Sequence, residues 1–420
     1  MKFLFILLTI LALSSCLLPG VYSYPLFQQA ADSCELTHAN EPYLLVGGQN
    51  GTWFQTAQWP KLDQVNLSDN SSVTKLPLTP SQGSVWTGAW NGTQWLISGY
   101  GVDNHTGNQA SNPFIYLYNG CAQFDAGQYM WAQQGSWHGG DVFSASYNGS
   151  QWLLSGLGSD SLTTSDPPNN HMALGLFNGS NNFTDLSLSV PDQNDDILYA
   201  NAWNGSYWLV GGGYGQDRYG ALFAYNGSSF IDLSPQLNSV IRNFDSVQAI
   251  GWNGDYWLIG GIGFLVKYDG RKIINLTPEL NEAIGSRHSL NTTLNYNNAV
   301  TSLAWNGTSW IIGGGAPLAI TGLSSAWVAT YSESEFHDIT YMLPPYIANQ
   351  TSSILTVAYY GDDWVLGGYA NGKGILLLLT KSTTTDLSHL VSDMSSVNWV
   401  GAGRISPIAL HHGLRSSRRK

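Results

Sequence analysis

The chain alternates between short apolar runs and small polar clusters, and the alternation recurs. Its clearest stretch is residues 247–261, V-Q-A-I-G-W-N-G-D-Y-W-L-I-G-G. Apolar runs on both sides of Asn253-Gly254 predict two antiparallel strands, 247–252 and 256–261. Asn-Gly predicts a type I′ turn between them, which needs positive φ at both central residues. A second hairpin follows at once: 264–268, a turn at Asp269-Gly270, then 272–276. The predicted unit is four antiparallel strands.

Residues 90–99, 147–156, 203–212, 305–314 and, worn down, 359–368 repeat the W-N-G-x-x-W-L-I-G-G phrase. Its second aromatic falls on Trp95, Trp152, Trp208, Trp257, Trp310 and Trp364, about 50 residues apart. A four-stranded sheet cannot bury both its faces alone, so copies at that period must stack, as propeller blades do. The tryptophans then read as core between sheets. One further blade is split. Residues 43–48 (Y-L-L-V-G-G) resemble a second strand with no first strand before it, and 396–399 (S-V-N-W) a first strand with nothing after it. The expected fold is all-β: a seven-bladed β-propeller of four-stranded antiparallel blades, its ring closed by the C-terminal strand pairing with the N-terminal blade. A linear solenoid would leave both end sheets with open edges.

A strand ending in Gly-Gly and followed by aromatic strands resembles kelch-type repeats. It is also similar to Asn-Gly-rich propeller repeats of secreted microbial proteins. The resemblance covers about residues 43–401 and lacks the regular Tyr-Trp pair of kelch. It implies a propeller, a fold that serves both as binding platform and as enzyme.

In an up-and-down blade the first and third turns share one face of the disc. Here those are the short Asn-Gly and Asp-Gly turns. The other face takes the longer segments 100–113, 157–171, 213–220, 315–325, 128–140, 277–298 and 340–353, and function is expected there.

Charged residues make up 10% of the chain, against roughly 25% in average soluble proteins. Amides and hydroxyls carry the polarity instead. Net charge is −12, and Arg404, Arg415, Arg418, Arg419 and Lys420 crowd a basic tail, 402–420, so the remaining body is more acidic still. An acidic body argues against a nucleic-acid partner. Residues 1–23 read as a secretory signal peptide: Lys2, an apolar core too short for a comfortable membrane span, and the helix breaker Pro19-Gly20. The alternative is L-S-S-C ending at Cys16, which resembles a lipoprotein box with Cys16 lipidated. Both readings place the mature domain outside a membrane, with no integral span. Residues 24–42 form an N-terminal arm and 43–401 the propeller. Export favours a disulfide between the remaining cysteines, Cys34 and Cys121.

Asn-x-Ser/Thr sequons are frequent. Asn91, Asn148, Asn204, Asn226 and Asn306 open N-G-S or N-G-T turns and are the glycosylation candidates in a glycosylating host. The plainer reading is that Asn-Gly serves the turn. On the long-segment face the candidate ligand-binding residues are Tyr100, His105, Trp137, His138, His171, Tyr214, Asp217, Arg218, Tyr219 and His288. Aromatic faces with a few polar groups suit carbohydrate or peptide.

No catalytic motif is present: no G-x-S-x-G, no Walker loop, no H-E-x-x-H. Asp192-x-Asn194-x-Asp196 lacks the Gly and distal Glu of a calcium loop. No metal or cofactor is expected. The expected function is an extracellular or cell-surface binding module for a protein or glycan ligand. The alternatives are a secreted propeller enzyme acting on carbohydrate and a structural glycosylated envelope protein. An enzyme of the first kind would converge two carboxylates, or an acid beside a Tyr or Arg, within about 5–10 Å. Oligomeric state is left open.

Overall fold

The computed structural model describes residues 43–51, 59–66, 72–78, 82–102, 111–120, 122–131, 139–159, 170–191, 197–213, 220–241, 246–286, 288, 290, 298–316, 324–332 and 334–403. The fold is all-β, a β-propeller built from antiparallel meanders. Strands β1 (Tyr43–Asn50), β2 (Trp59–Asn66) and β3 (Ser72–Lys75) come first. A meander of β4 (Gly83–Trp90), β5 (Trp95–Val102), β6 (Ser111–Tyr118) and β7 (Gln123–Asp125) follows. The next is β8 (Gly140–Tyr147), β9 (Trp152–Ser159), β10 (Asn170–Phe177) and β11 (Phe183–Asp185). Then come β12 (Ile197–Trp203), β13 (Trp208–Gly213), β14 (Ala221–Tyr225) and β15 (Phe230–Asp232), and β16 (Val247–Trp252), β17 (Trp257–Gly261), β18 (Phe264–Tyr268) and β19 (Ile273–Asn275).

Two further meanders are β20 (Ala299–Trp305), β21 (Trp310–Gly315), β22 (Trp327–Ser332) and β23 (Glu335–Asp338), and β24 (Ser352–Tyr360), β25 (Asp363–Ala370), β26 (Lys373–Leu379) and β27 (Thr384–Asp386). A single Gly315–Ser353 pair joins them into one sheet. The last strand, β28 (Ser396–Gly403), lies in the sheet β28-β1-β2-β3, with Tyr43 opposite Gly403 and Gln49 opposite Ser396. First strands lie side by side in sequence: β4 by β8, β8 by β12, β12 by β16, β16 by β20, β20 by β24, β24 by β28, and β28 by β4.

The core fills the spaces between sheets. Trp152, Trp208, Trp257 and Trp310 are fully buried. Three of them reach back to the preceding meander: Trp152 Nε1 donates to the Ala89 carbonyl (3.1 Å), Trp257 Nε1 to Tyr207 Oη (3.2 Å) and Trp310 Nε1 to Tyr256 Oη (3.2 Å). Each tryptophan also packs on the aromatic opposite it across the hairpin, as in Trp203–Trp208, with ring centroids 4.4 Å apart.

The turns correct one expectation. The hairpins are not Asn-Gly type I′ turns. The strands end one residue before Asn and resume at the next tryptophan, so four residues intervene. None of these asparagines has positive φ; the glycines carry it, as Gly205 does at 97°. The reason lies in the Asn side chain. Asn204 Oδ1 accepts the N–H groups of Ser206 and Tyr207 (both 2.9 Å), and the Asn204 N–H closes the turn on the Tyr207 carbonyl (3.2 Å). Asn91, Asn148, Asn226, Asn253 and Asn306 repeat the pattern, and Asp269 does the same job. The sequon hydroxyl belongs to this turn where Thr93, Ser150, Ser228 and Thr308 donate to their asparagine.

A second device ends the blades. After the short fourth strand, Asp185 Oδ1 accepts the Ser187 N–H (2.9 Å) and Ser187 Oγ accepts the Leu174 N–H (3.1 Å). Asp232/Ser234, Asn275/Thr277, Asp338/Thr340 and Asp386/Ser388 do likewise. The hydroxyl takes over a ladder bond where the fourth strand stops. The connections then begin with short helices rather than irregular loops. In Thr277–Ile284 the buried Leu280 and Ile284 sit four residues apart, one helical face turned inward, with a proline in the first turn.

Candidate binding site

The site starts from the Gly-Gly doublet. Its second glycine presses against the carbonyl two residues ahead of the residue that the first strand leaves out of the ladder. A β-carbon on Gly99, Gly156, Gly212, Gly261, Gly368 or Gly48 would overlap the carbonyl oxygen of Ser84, Asp141, Ile197, Ser246, Ser353 or Ser396, respectively. The first glycine has another neighbour. A β-carbon on Gly211 would stand 2.6 Å from Val247 Cγ1 of the next blade, and one on Gly313 2.7 Å from Ile354 Cγ2. The second glycine is thus required by close approach, whereas serine (Ser98, Ser155) takes the first position in two copies, and the first strand passes the second glycine with one extra residue, a β-bulge.

The bulge recurs at one register. The pairing skips Trp86 on β4, Phe143 on β8, Tyr199 on β12, Gln248 on β16, Thr301 on β20, Leu355 on β24 and Asn398 on β28. The residue before each bulge, from Val85 round to Val397, is fully buried, whereas Trp86, Phe143, Tyr199, Gln248, Thr301 and Leu355 are half-buried. A bulge re-aims a side chain. These side chains leave the inter-blade core and gather along the inner strands, near their entry from the long connections.

Three consecutive members are aromatic and touch. Trp86 and Phe143 have centroids 5.6 Å apart at 48°, and Phe143 and Tyr199 5.2 Å apart at 54°. Tyr100, at the end of β5, stacks on Trp86 at 6.4 Å and 23°. The result is one arc of four rings. Burial, and then the nearby Asp141 carboxylate, hold the Tyr100 phenol well above its ordinary pKa. It stays a protonated hydrogen-bond donor rather than a nucleophile. The other inner positions are amide, hydroxyl or aliphatic. Gln248 Nε2 donates to Ser246 Oγ (2.6 Å), Asn398 Nδ2 to Ser84 Oγ (2.7 Å), and Thr301 Oγ1 to the Ile354 carbonyl.

Of the residues expected to bind ligand, Tyr100 joins this arc. It lies on a strand, not in the expected loop. His171 also lies on a strand, β10, buried at 6% exposure against Gly158. His288 follows the helix Thr277–Ile284 and is equally buried, its N–H on the Gly285 carbonyl (3.2 Å). His105, Trp137, His138, Tyr214, Asp217, Arg218 and Tyr219 lie outside the described residues, as do Cys16, Cys34 and Cys121. Trp86, Phe143 and Tyr199 went unnoticed in the sequence. Their signal is present: each stands four residues before the aromatic that precedes Asn-Gly. Among the described residues no group of three or more His, Cys, Asp or Glu side chains could hold a metal ion. No helix among them is long and apolar enough to cross a membrane.

No protein-family model matches the chain, and no curated protein matches it in sequence. Solved structures do match in shape. The β-propeller domain of the Trilobed protease from Pyrococcus furiosus is 10% identical, with a TM-score of 0.47, 84% of this chain and 97% of that chain being covered. The acylaminoacyl peptidase of Pyrococcus horikoshii is 10% identical, with a TM-score of 0.46 over 84% of this chain and 53% of the peptidase; the chain thus spans about half that protein's length. YCF48 bound to D1 peptide is 11% identical, with a TM-score of 0.43 over 74% and 82% of the two chains. At these values the fold assignment rests on the sheet order described above.

Proposed function

We propose that the chain is an exported, seven-bladed propeller that works as an extracellular or cell-surface binding module, its ligand held on the aromatic arc. The carrying observation is the arc itself: touching rings of Trp86, Phe143 and Tyr199 on successive inner strands, with no acid at any equivalent position. Counting the eight-stranded sheet as two blades gives seven. The β28–β1 pairing and the run of first-strand neighbours back to β4 support a closed ring. The Gly-Gly doublet supports a kelch-like repeat. The apolar leader supports export, with lipid anchoring through Cys16 as the other outcome. Asn91, Asn148, Asn204, Asn226 and Asn306 are candidate glycan carriers, and Cys34–Cys121 a candidate disulfide.

Tyr100 near Asp141 is the acid-beside-tyrosine pair that an enzyme would display. A phenol held protonated by burial and a like charge serves binding better than attack. The test is a pull-down with the purified chain against cell-wall and cell-surface material, run beside a glycoside-hydrolysis assay. Retention that Trp86→Ala abolishes supports the binding module. Turnover that Tyr100→Phe abolishes would replace it with the enzyme. Neither retention nor turnover leaves the structural envelope protein.

A further inference from the structure

Resting on the reading of the arc as a binding surface, we propose that its ligand is a neutral pyranose-containing glycan, one ring face of which stacks on Trp86, Phe143 and Tyr199. Ring contact argues against a cage. Centroids 5.2–6.4 Å apart mean that the rings pack on one another and leave no space between them for a quaternary ammonium. They present instead one continuous apolar surface, tilted by about 50° from ring to ring. A pyranose matches such a surface. Its C–H face is apolar and its rim is hydroxyl.

The remaining inner positions complete the match. Gln248 and Thr301 offer an amide and a hydroxyl on the strands that follow the aromatic ones round the inner contacts, and neither carries a charge. With Nε2 of Gln248 on Ser246 Oγ, its carbonyl oxygen is left to accept from a ligand hydroxyl. The absence of any Arg, Lys or His among the inner bulge residues gives an anionic sugar no partner. Asp141 beside Tyr100 and the net charge of −12 oppose one. A peptide strand finds less here. Aromatic side chains line the inner strands, and peptide recognition by strand addition needs a row of open backbone groups.

The experiment is titration calorimetry on the full chain from a host that adds no N-glycans. The neutral probes are chitotriose, cellotriose and mannotriose; sialyllactose is the anionic probe and choline the cationic one. The expected result is binding of at least one neutral probe, with an affinity that salt does not change. Trp86→Ala weakens it by about tenfold or more, while Trp86→Phe, which keeps a ring, weakens it less. Should Trp86→Ala fail to fold by thermal melting, Phe143→Ala and Tyr199→Ala give the same reading. Binding of sialyllactose or choline alone, equal affinity in the Ala variants, or no binding of any probe overturns the glycan. Retention in the cell-surface pull-down with silence here leaves the binding module and removes its sugar ligand; silence in both removes both.

Discussion

Gly212 stands so close to Ile197 that a β-carbon on it would overlap the Ile197 carbonyl oxygen. That one contact ties the repeat phrase to the candidate site. The carbonyl lies against Gly212 because β12 bulges there, and the bulge turns Tyr199 out of the ladder. Gly212→Ala must therefore move backbone rather than a flexible side chain. It is expected to cost about 1–3 kcal/mol and to disturb Tyr199. Gly205→Ala, in an open turn with φ of 97°, makes no new contact and pays mainly for backbone conformation. Urea denaturation of both variants checks this, with Tyr199 followed by NMR. If Gly212→Ala left the Tyr199 environment as intact as Gly205→Ala does, the link between doublet and bulge would fail.

The turn asparagines act through one oxygen. Asn204→Ala removes the acceptor of two N–H groups and is expected to cost about 1 kcal/mol. Asn204→Asp keeps an acceptor for both N–H groups, as Asp269 does naturally, and removes the sequon. Hydrogen bonds from the Lys272 and Arg271 N–H groups lower the Asp269 pKa. A carboxylate in the same setting at position 204 carries the same sign: its contribution is present above the unfolded carboxyl pKa and is lost as pH falls through the lower folded value. Melting temperatures of wild type and Asn204→Asp should agree near neutrality and separate in acid, the variant falling. An Asn204→Asp chain as unstable as Asn204→Ala at neutral pH would show that the amide nitrogen, not the oxygen, matters.

Hydroxyls stitch neighbouring inner strands together. Thr87 Oγ1 accepts the Ala145 N–H (3.1 Å), Ser144 Oγ the Asn201 N–H (3.1 Å) and Thr356 Oγ1 the Val400 N–H (3.3 Å). Each sits one residue after its bulge. Thr87→Val keeps the shape and removes the acceptor, so it is expected to cost about 1 kcal/mol, whereas Thr87→Ser is expected to cost less. Amide hydrogen exchange at Ala145 gives the local reading: faster in Thr87→Val, unchanged in Thr87→Ser. Unchanged exchange in both variants would remove the stitch.

The blades were legible because their signal is local. Trp, Asn-Gly and Gly-Gly fall at fixed offsets within one hairpin, and 396–399 resembles the missing first strand of 43–48 by pattern alone. The turn type was misread because Asn-Gly satisfies two turn geometries, and the choice between them is made by where Asn Oδ1 points. The site was mostly illegible for a different reason. Trp86, Phe143 and Tyr199 occupy ordinary strand positions, and nothing in alternation distinguishes a bulged residue from its neighbours. Their meeting depends on contacts between separate blades. Tyr100 is legible because it opens a long segment, whereas its partner Trp86 stands where no motif marks it.

The sheet that unites the two ends carries an ionic seam whose titration can be predicted. Lys61 and Lys75 both reach Asp393 Oδ2, at 3.1 and 2.5 Å, linking β2 and β3 to the segment before β28. Asp63 stands opposite Lys75 and two residues along β2 from Lys61, and is 1% exposed. Burial, reinforced by the Asp393 charge and opposed by Lys75 and Lys61, raises its pKa to about 6. Hydrogen bonds from Lys75 and Lys61 outweigh burial at Asp393 and lower its pKa. The two aspartates therefore titrate in opposite senses. Asp63 contributes stability in full below its unfolded pKa near 4, and that contribution is lost as pH rises to about 6. Asp393 contributes above its unfolded pKa, and its share is lost as pH falls. Asp63→Asn is expected to raise stability at pH 7, by about 3 kcal/mol at most, and to flatten the decline between about pH 4 and 6. Asp393→Asn is expected to lower stability at pH 7 and to weaken the loss in acid. Thermal melting across that range separates the two, and a wild-type profile that Asp63→Asn left unaltered would show that the buried carboxyl does not carry the seam's response.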